Sequence, residues 1–68
     1  MFTISKLKEL SFLVYGLGLS GKSIVRFFIR NKIIKFKVWD DKEKKIYKKR
    51  QTSNLLQTLK DVDFIVLS

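Results

Sequence analysis

The feature that most constrains this chain is a glycine-rich stretch that directly follows an apolar run. Residues 12–15 read Phe-Leu-Val-Tyr, which indicates a strand buried on both faces, as in parallel sheets. Gly16, Gly18 and Gly21 follow in G-x-G-x-x-G spacing, and they are the only glycines among the 68 residues. An apolar pattern of helical length comes next. Strand, glycine turn and helix in this order favour a turn that binds a phosphate or a nucleotide.

Each glycine of such a turn has its own physical reason. The first permits a tight bend, the second lets the backbone approach a phosphate, and the third lets helix and strand pack closely. The helix that follows directs free N–H groups and the positive end of its dipole at the turn, which suits an anion. Asp40 lies 19 residues beyond Gly21, near the spacing at which dinucleotide-binding folds place an acidic residue. The same spacing also serves a purely structural turn, and it does not choose between a dinucleotide and another phosphorylated ligand.

The same residues also match a second phosphate-binding pattern. Residues 16–23 read G-x-x-x-x-G-K-S, in which Lys22 would contact the β- and γ-phosphates of a nucleotide and Ser23 would bind Mg²⁺. Two alternatives therefore stay open beside the interpretation developed below. One is the NAD(P)-binding half of an oxidoreductase, with Asp40 accepting from ribose hydroxyls, and the other is the phosphate loop of a nucleoside-triphosphate-binding protein.

Hydrophobic patterns along the chain predict alternating strands and helices. We expect strands at 11–15, 35–40 and 64–67 and helices at 20–31 and 51–60. Residues 1–10 are interpreted as a lead-in, with Leu7 and Leu10 packing near the first strand, and residues 41–50 as a solvated connection or a short helix. Ser20 and Ser53 are the predicted N-caps of the two helices.

The order of these elements predicts an α/β fold. A β-α-β-(α)-β chain gives the Rossmann-like, parallel, three-stranded start of a doubly wound sheet. We expect Phe27 and Ile29 to contribute to the apolar surface of the first helix, and the third strand to be buried. Such a sheet is an incomplete domain, so we expect the chain to be the N-terminal part of a longer protein.

Composition excludes several classes of function. The chain has neither cysteine nor histidine, so a disulfide framework is excluded and a zinc site is implausible. No apolar run approaches the roughly 20 residues of a membrane-spanning helix, and the N-terminus lacks the apolar core of a signal peptide. We therefore expect a cytoplasmic protein with no membrane partner.

The chain is strongly basic, with 15 Lys and Arg against 6 Asp and Glu and a formal net charge of +9. Such a charge suggests nucleic acid or an acidic surface. However, 12 of the 15 cations are lysine, which is the poorer residue for bidentate recognition of phosphates and bases. No recognition-helix or aromatic sheet motif accompanies them. We interpret the basic run at 42–50 as a solvated segment and expect no nucleic-acid partner.

Four stretches of the chain together resemble the start of bacterial Mur ligases, and among these the ligases that add D-glutamate. The stretches are Val14 to Ser23, Phe27-Phe28, Val38 to Asp41, and Asp63 to Ser68. The G-L-G-x-[ST]-G form of the turn, the aspartate that closes strand two and the D-x-[IV]-V-x-S form of strand three carry the resemblance. It covers most of the chain outside residues 42–54.

The resemblance implies a Rossmann-like domain that holds the UDP part of a muramoyl substrate, UDP-N-acetylmuramoyl-L-alanine. It implies that Gly18, Leu19 and Ser20 lie against the diphosphate, which the backbone N–H groups and the Ser20 hydroxyl would contact. It places Asp40 and Asp41 near the uridine, with Lys42 close by.

The resemblance also implies what these 68 residues lack. The ATP, Mg²⁺ and D-glutamate sites of Mur ligases lie in central and C-terminal domains, so no cofactor and no catalytic residue is expected in this chain. We expect the whole protein to be a monomeric, ADP-forming amino-acid ligase of peptidoglycan synthesis, and this chain alone to be inactive.

Overall fold

The computed structural model describes residues 3–68; Met1 and Phe2, the first residues of the predicted lead-in, lie outside the described part. Within it, three parallel strands form one open sheet in the order β2-β1-β3. Helices connect them, so the chain is a small α/β, Rossmann-like unit, as the patterns predict. The elements are α1 (Ile4–Glu9), β1 (Phe12–Tyr15), α2 (Leu19–Arg30), β2 (Phe36–Trp39), a 3₁₀ turn (Lys48–Arg50), α3 (Leu55–Asp61) and β3 (Phe64–Leu67).

The lead-in contains a helix that the sequence patterns did not reveal. Thr3 caps α1, because its hydroxyl oxygen accepts a hydrogen bond from the Lys6 N–H at 3.2 Å. Leu7 and Leu10 pack against the core, as expected. The cap and this packing stabilise a helix of six residues, which is too short to show a periodicity that predicts it.

The core lies between one face of the sheet and α2. Phe12 and Val14 of β1 stand beside Phe36 and Val38 of β2 in register, and all four are buried. The ring of Phe28 from α2 lies 5.0 Å from that of Phe12 and 5.2 Å from that of Phe36, measured between centroids. This cluster fixes how α2 sits on β1 and therefore where its first turn lies.

The N-cap of α2 lies two residues before the predicted one. Gly18 is the N-cap and Leu19 the first helical residue, so the prediction of Ser20 as the cap is wrong. Only three residues, Gly16 to Gly18, separate β1 from α2. A link this short brings the helix start close to the end of the strand and leaves Ser20 inside the first turn.

The end of α2 is stabilised by backbone hydrogen bonds of a Schellman motif. The Ile33 N–H donates to the Phe28 carbonyl at 2.9 Å, and the Lys32 N–H donates to the Ile29 carbonyl at 3.1 Å. Lys32 adopts the left-handed conformation that this motif needs, with φ of 58°. The buried Ile33 then carries the chain back toward β2.

Two assignments to the buried face of α2 are wrong. Phe27 is 45% exposed and Ile29 is 53% exposed, whereas Gly21, Val25 and Phe28 are buried. The buried positions follow i, i+4, i+7 spacing and form a narrow stripe. A sheet of three short strands covers only that stripe, so the flanking apolar residues remain in solvent.

The prediction of a buried third strand is also wrong for this chain. Phe64, Ile65 and Leu67 are 43%, 46% and 77% exposed. β3 is an outer strand that pairs with β1, and within the described residues no strand pairs with its other side. β3 packs against the core only in part: the ring of Phe64 lies 5.9 Å from that of Phe12, measured between centroids, and Val66 contacts the core, whereas Ile65 and Leu67 stay exposed.

The segment before α3, predicted as a solvated connection or a short helix, is mostly exposed and contains the 3₁₀ turn Lys48–Arg50, and hydrogen bonds from Gln51 also hold it in place. The Gln51 side-chain amide donates to the carbonyls of Glu43 and Ile46 at 2.9 and 3.0 Å. Gln51 also forms an isolated parallel β-bridge with Val38 of β2. The cap of α3 is Asn54, whose side-chain oxygen accepts from the Gln57 N–H at 3.1 Å, so the prediction of Ser53 is wrong. Asn is at least as good an N-cap as Ser, so the capping residue is set by position: Asn54 directly precedes the first helical residue, Leu55.

None of the helices in residues 3–68 has the length and apolar character that crossing a membrane requires.

Candidate anion-binding site at the carboxyl edge of the sheet

The turn between β1 and α2 has a geometry that requires glycine at two positions. Gly16 has φ of +104°, a conformation that residues with a side chain rarely adopt. At Gly21 an added Cβ would lie 2.9 Å from the Gly16 carbonyl carbon and closer still to its oxygen. Gly16 therefore makes the bend, and Gly21 lets α2 pack directly against the turn.

The side chain of Asp40 ties the end of β2 to this turn. One carboxylate oxygen accepts a hydrogen bond from the Leu17 N–H at 2.6 Å, and the other accepts from the N–H groups of Lys42 and Glu43 at 2.7 and 2.8 Å. These backbone donors, that of Leu17 foremost, lower the pKa of Asp40 from 3.8 to about 2. Asp40 is therefore ionised at neutral pH and shapes both the glycine turn and the loop after β2.

Ser68 fixes the turn from its other side. The Ser68 N–H donates to the Tyr15 carbonyl at 3.1 Å, and its hydroxyl donates to the Gly16 carbonyl at 2.6 Å. The carboxyl ends of three neighbouring parallel strands therefore meet at the glycine turn, which is where ligands bind in open α/β sheets.

A cavity of about 270 Å³ opens between these strand ends. It is lined by Tyr15, Gly16, Asp40, Asp41, Lys42 and Ser68. Three of the predicted site residues, Asp40, Asp41 and Lys42, therefore lie in one cavity. Its rim carries two carboxylates and one ammonium group, so it can accept hydrogen bonds from a ligand and offers one positive charge beside them.

The other three predicted residues, Gly18, Leu19 and Ser20, lie at the start of α2 and not in the cavity lining. All three are exposed, and Leu19 is 88% exposed. No side chain caps this end of the helix, and its first turn contains no acidic residue. The first N–H groups of a helix have no partner within the helix, so this end can donate to an anion.

Asp41 and Trp39 extend the polar rim of the cavity. The Trp39 indole N–H donates to an Asp41 carboxylate oxygen at 3.2 Å, and the Lys44 ammonium lies 3.5 Å from the centroid of the Trp39 ring. These contacts hold Asp41 beside the cavity and leave its second oxygen for a ligand donor.

Sequence reasoning assigned no role to Tyr15 or Ser68, although both line the cavity. A signal was present, because each ends or directly follows a predicted strand, and the carboxyl ends of parallel strands share one edge. Their hydrogen bond partners, by contrast, follow only from the pairing order β2-β1-β3.

The geometry of the turn does not favour a phosphate loop of the G-x-x-x-x-G-K-S type. In such a loop several consecutive backbone N–H groups surround the phosphates before the helix begins. Here α2 already begins at Leu19, so Lys22 lies within the helix, and the Ser23 hydroxyl accepts from the Arg26 guanidinium at 3.2 Å. Three loop residues are too few to enclose a triphosphate.

Comparisons of the chain with protein-family models, with curated proteins and with solved structures find no match.

Proposed function

We propose that this chain is the UDP-binding N-terminal part of a cytoplasmic Mur ligase, a monomeric ADP-forming enzyme of peptidoglycan synthesis that joins D-glutamate to UDP-N-acetylmuramoyl-L-alanine. ATP and Mg²⁺ would bind in domains outside these 68 residues, and the catalytic groups would lie there as well. The observation that carries the proposal is the hydrogen bond from the Leu17 N–H to Asp40, because it holds the glycine turn and the end of β2 side by side, as one ligand that contacts both would require.

The diphosphate fits the start of α2. The N–H of Leu19 and the hydroxyl of Ser20 are the donors, and the positive end of the helix dipole adds a favourable field. Lys42 lines the neighbouring cavity and supplies a positive charge there, beside the carboxylates of Asp40 and Asp41. No acidic side chain of the first helical turn opposes an anion there.

The uridine fits the cavity beside the turn. Uracil and ribose present N–H and O–H donors, for which a carboxylate is the natural acceptor. Asp40 already accepts three backbone N–H groups, which occupy most of its roughly four lone-pair sites. Asp40 therefore acts chiefly by shaping the cavity, and Asp41 is the carboxylate with an oxygen to spare.

A ligand titration tests this proposal. UDP-N-acetylmuramoyl-L-alanine, NAD and ATP are titrated separately into the 68-residue chain by calorimetry and by two-dimensional NMR. We expect the UDP substrate to bind more tightly than NAD or ATP and to shift the amide resonances of Leu19 and Ser20. Tighter binding of NAD would favour the oxidoreductase alternative, and tighter binding of ATP would favour a nucleotide-hydrolysing one.

Gly18→Val is the informative variant. No atom lies within 4 Å of the place where a Cβ on Gly18 would stand, so the variant keeps the fold. Its branched side chain, however, occupies the space through which a diphosphate reaches the helix start. We expect the affinity for the UDP substrate to fall at least tenfold, and Ser5→Val, an exposed change on α1, to leave it unaltered. Equal affinity in both variants would contradict a diphosphate at this turn.

A further inference from the structure

A second cavity lies at the amino ends of the strands, opposite to the carboxyl ends where the glycine turn lies. It has a volume of about 320 Å³ and is bounded by the amino ends of β1 and β2 and by the last turn of α3. Phe12 and Phe36 contribute its apolar floor, and Ile34 and Val62 contribute to its apolar walls. Small-molecule sites have volumes of about 300–1,000 Å³ and combine apolar walls with a few convergent polar groups.

The polar groups of this cavity are mostly cations. Lys35, Lys37, Lys49 and Arg50 line it, against a single carboxylate from Asp61. None of the four cations is ion-paired within residues 3–68, where the ion pair that forms joins Lys6 to Glu9. Asp61 itself accepts a hydrogen bond from the Gln57 side-chain amide at 2.9 Å. The cavity therefore holds an excess of positive charge that no described side chain neutralises.

Arg50 is held in place by two contacts. Its guanidinium donates one hydrogen bond to the Ile34 carbonyl at 2.5 Å and lies 4.4 Å from the centroid of the Phe36 ring. A guanidinium has five N–H donors in a rigid plane, so one hydrogen bond leaves most of them available. A fixed planar donor loses less conformational entropy on binding an anion than a free side chain does.

We propose that this cavity binds a small ligand that carries a multiply charged phosphate group. Arg50 supplies the fixed donors, and Lys37 and Lys49, which also line the cavity, supply flexible charges. The more exposed apolar side chains of the lining, Ile34 and Val62, accommodate the carbon skeleton of the ligand. The site lies at the far edge of the sheet from the UDP-binding turn and does not depend on the function proposed for that turn.

The structure favours a small ligand over a nucleic-acid strand. Binding of single strands requires aromatic faces on which bases can stack. The two aromatic rings of this cavity, Phe12 and Phe36, are only 6% and 3% exposed and serve the core. The four cations also surround one concavity instead of following a groove.

The test uses tripolyphosphate as the probe, titrated into the 68-residue chain at constant ionic strength and followed by two-dimensional NMR and calorimetry. We expect amide shifts at Lys37, Lys49 and Arg50. The double variant Lys37→Gln/Lys49→Gln should weaken binding at least tenfold, because two charge-assisted contacts are lost. The matched control Lys8→Gln/Lys45→Gln removes the same net charge from exposed positions outside the cavity and should weaken it less than twofold.

Three results would overturn the proposal. The first is an equal loss of affinity in the two double variants, which would mean that only net charge attracts the probe. The second is a set of shifts confined to residues 16–20, which would place the phosphate at the glycine turn alone. The third is tighter binding of a single-stranded oligonucleotide than of tripolyphosphate at the same cavity, which would identify a polymer as the ligand.

Discussion

Of the glycines in the turn, Gly21 is the one at which replacement by alanine should destabilise the fold most. The Cβ of an alanine there would lie 2.9 Å from the Gly16 carbonyl carbon and 2.8 Å from the Ser68 hydroxyl oxygen, with the Gly16 carbonyl oxygen nearer still. Carbon atoms in favourable contact are about 3.5–4.0 Å apart. The Gly16 backbone cannot easily move away from the added Cβ, because its N–H donates to the Trp39 carbonyl at 2.7 Å.

The cost follows from the kind of atoms that collide. Overpacking a core costs typically about 1–3 kcal/mol, and the upper end applies when backbone must move instead of a side chain. We therefore expect Gly21→Ala to lower the free energy of unfolding by about 3 kcal/mol. At 0.05–0.15 kcal/mol per residue the whole chain has roughly 3–10 kcal/mol of stability. In a domain of this size each kcal/mol shifts Tm by about 4–8 °C, so Tm should fall by roughly 12–24 °C.

Gly18→Ala is the matched control for this prediction. Nothing lies within 4 Å of its added Cβ, and the residue has φ of −73°, which alanine adopts without strain. Alanine is a poorer N-cap than glycine, but it also reduces the entropy of the unfolded chain, so the net change should stay within about 0.5 kcal/mol. Urea and thermal unfolding followed by circular dichroism and Trp39 fluorescence measure both variants. Equal stability of Gly21→Ala and the parent chain would refute the packing argument, whereas a variant unfolded in buffer would support it.

The parts of the fold that the sequence predicts are those with a local cause. Phe12 to Tyr15 are apolar without interruption, and Phe36 and Val38 alternate with lysines, so β1 and β2 are visible from the chain itself. The glycine spacing likewise shows where the bend must lie, because Gly16 adopts a φ that side chains disfavour. These features need no knowledge of neighbouring elements.

What the sequence could not predict depends on partners elsewhere in the fold. The pattern of β3 resembles a buried strand, yet burial depends on which elements pack against the faces of the strand, and Ile65 and Leu67 remain exposed. Ser20 is a good capping residue, but the three-residue link from β1 places Gly18 at that position. The hydrogen bond from Leu17 to Asp40 spans 23 residues and exists only once β1 and β2 are paired. For the candidate site, Asp40, Asp41 and Lys42 could therefore be nominated in advance, but not Tyr15 and Ser68, nor the role of Asp40 as a structural acceptor.

Three further predictions concern the contacts around the turn and the end of α2. Ser68→Ala should lower the free energy of unfolding by about 1 kcal/mol, since it removes the hydrogen bond to the Gly16 carbonyl. Urea unfolding of this variant and of the exposed control Ser53→Ala measures the difference, and equal urea midpoints for the two variants would contradict the prediction. Lys32→Gly should raise Tm, because the left-handed conformation costs lysine about 1 kcal/mol and glycine adopts it without that cost. Lys32→Ala should not raise Tm, because alanine bears the same cost. The last prediction concerns pH. Asp40 has a folded pKa of about 2 against an ordinary value of 3.8, so its carboxylate stabilises the fold fully above pH 3.8, and this stabilisation is lost as the pH falls toward 2. Asp40→Asn should therefore be less stable than the parent at pH 7 and lose less stability between pH 4 and pH 2. Urea midpoints at pH 7, 4, 3 and 2 measure this difference, and parallel pH profiles for the two proteins would show that the backbone hydrogen bonds of Asp40 do not stabilise the fold.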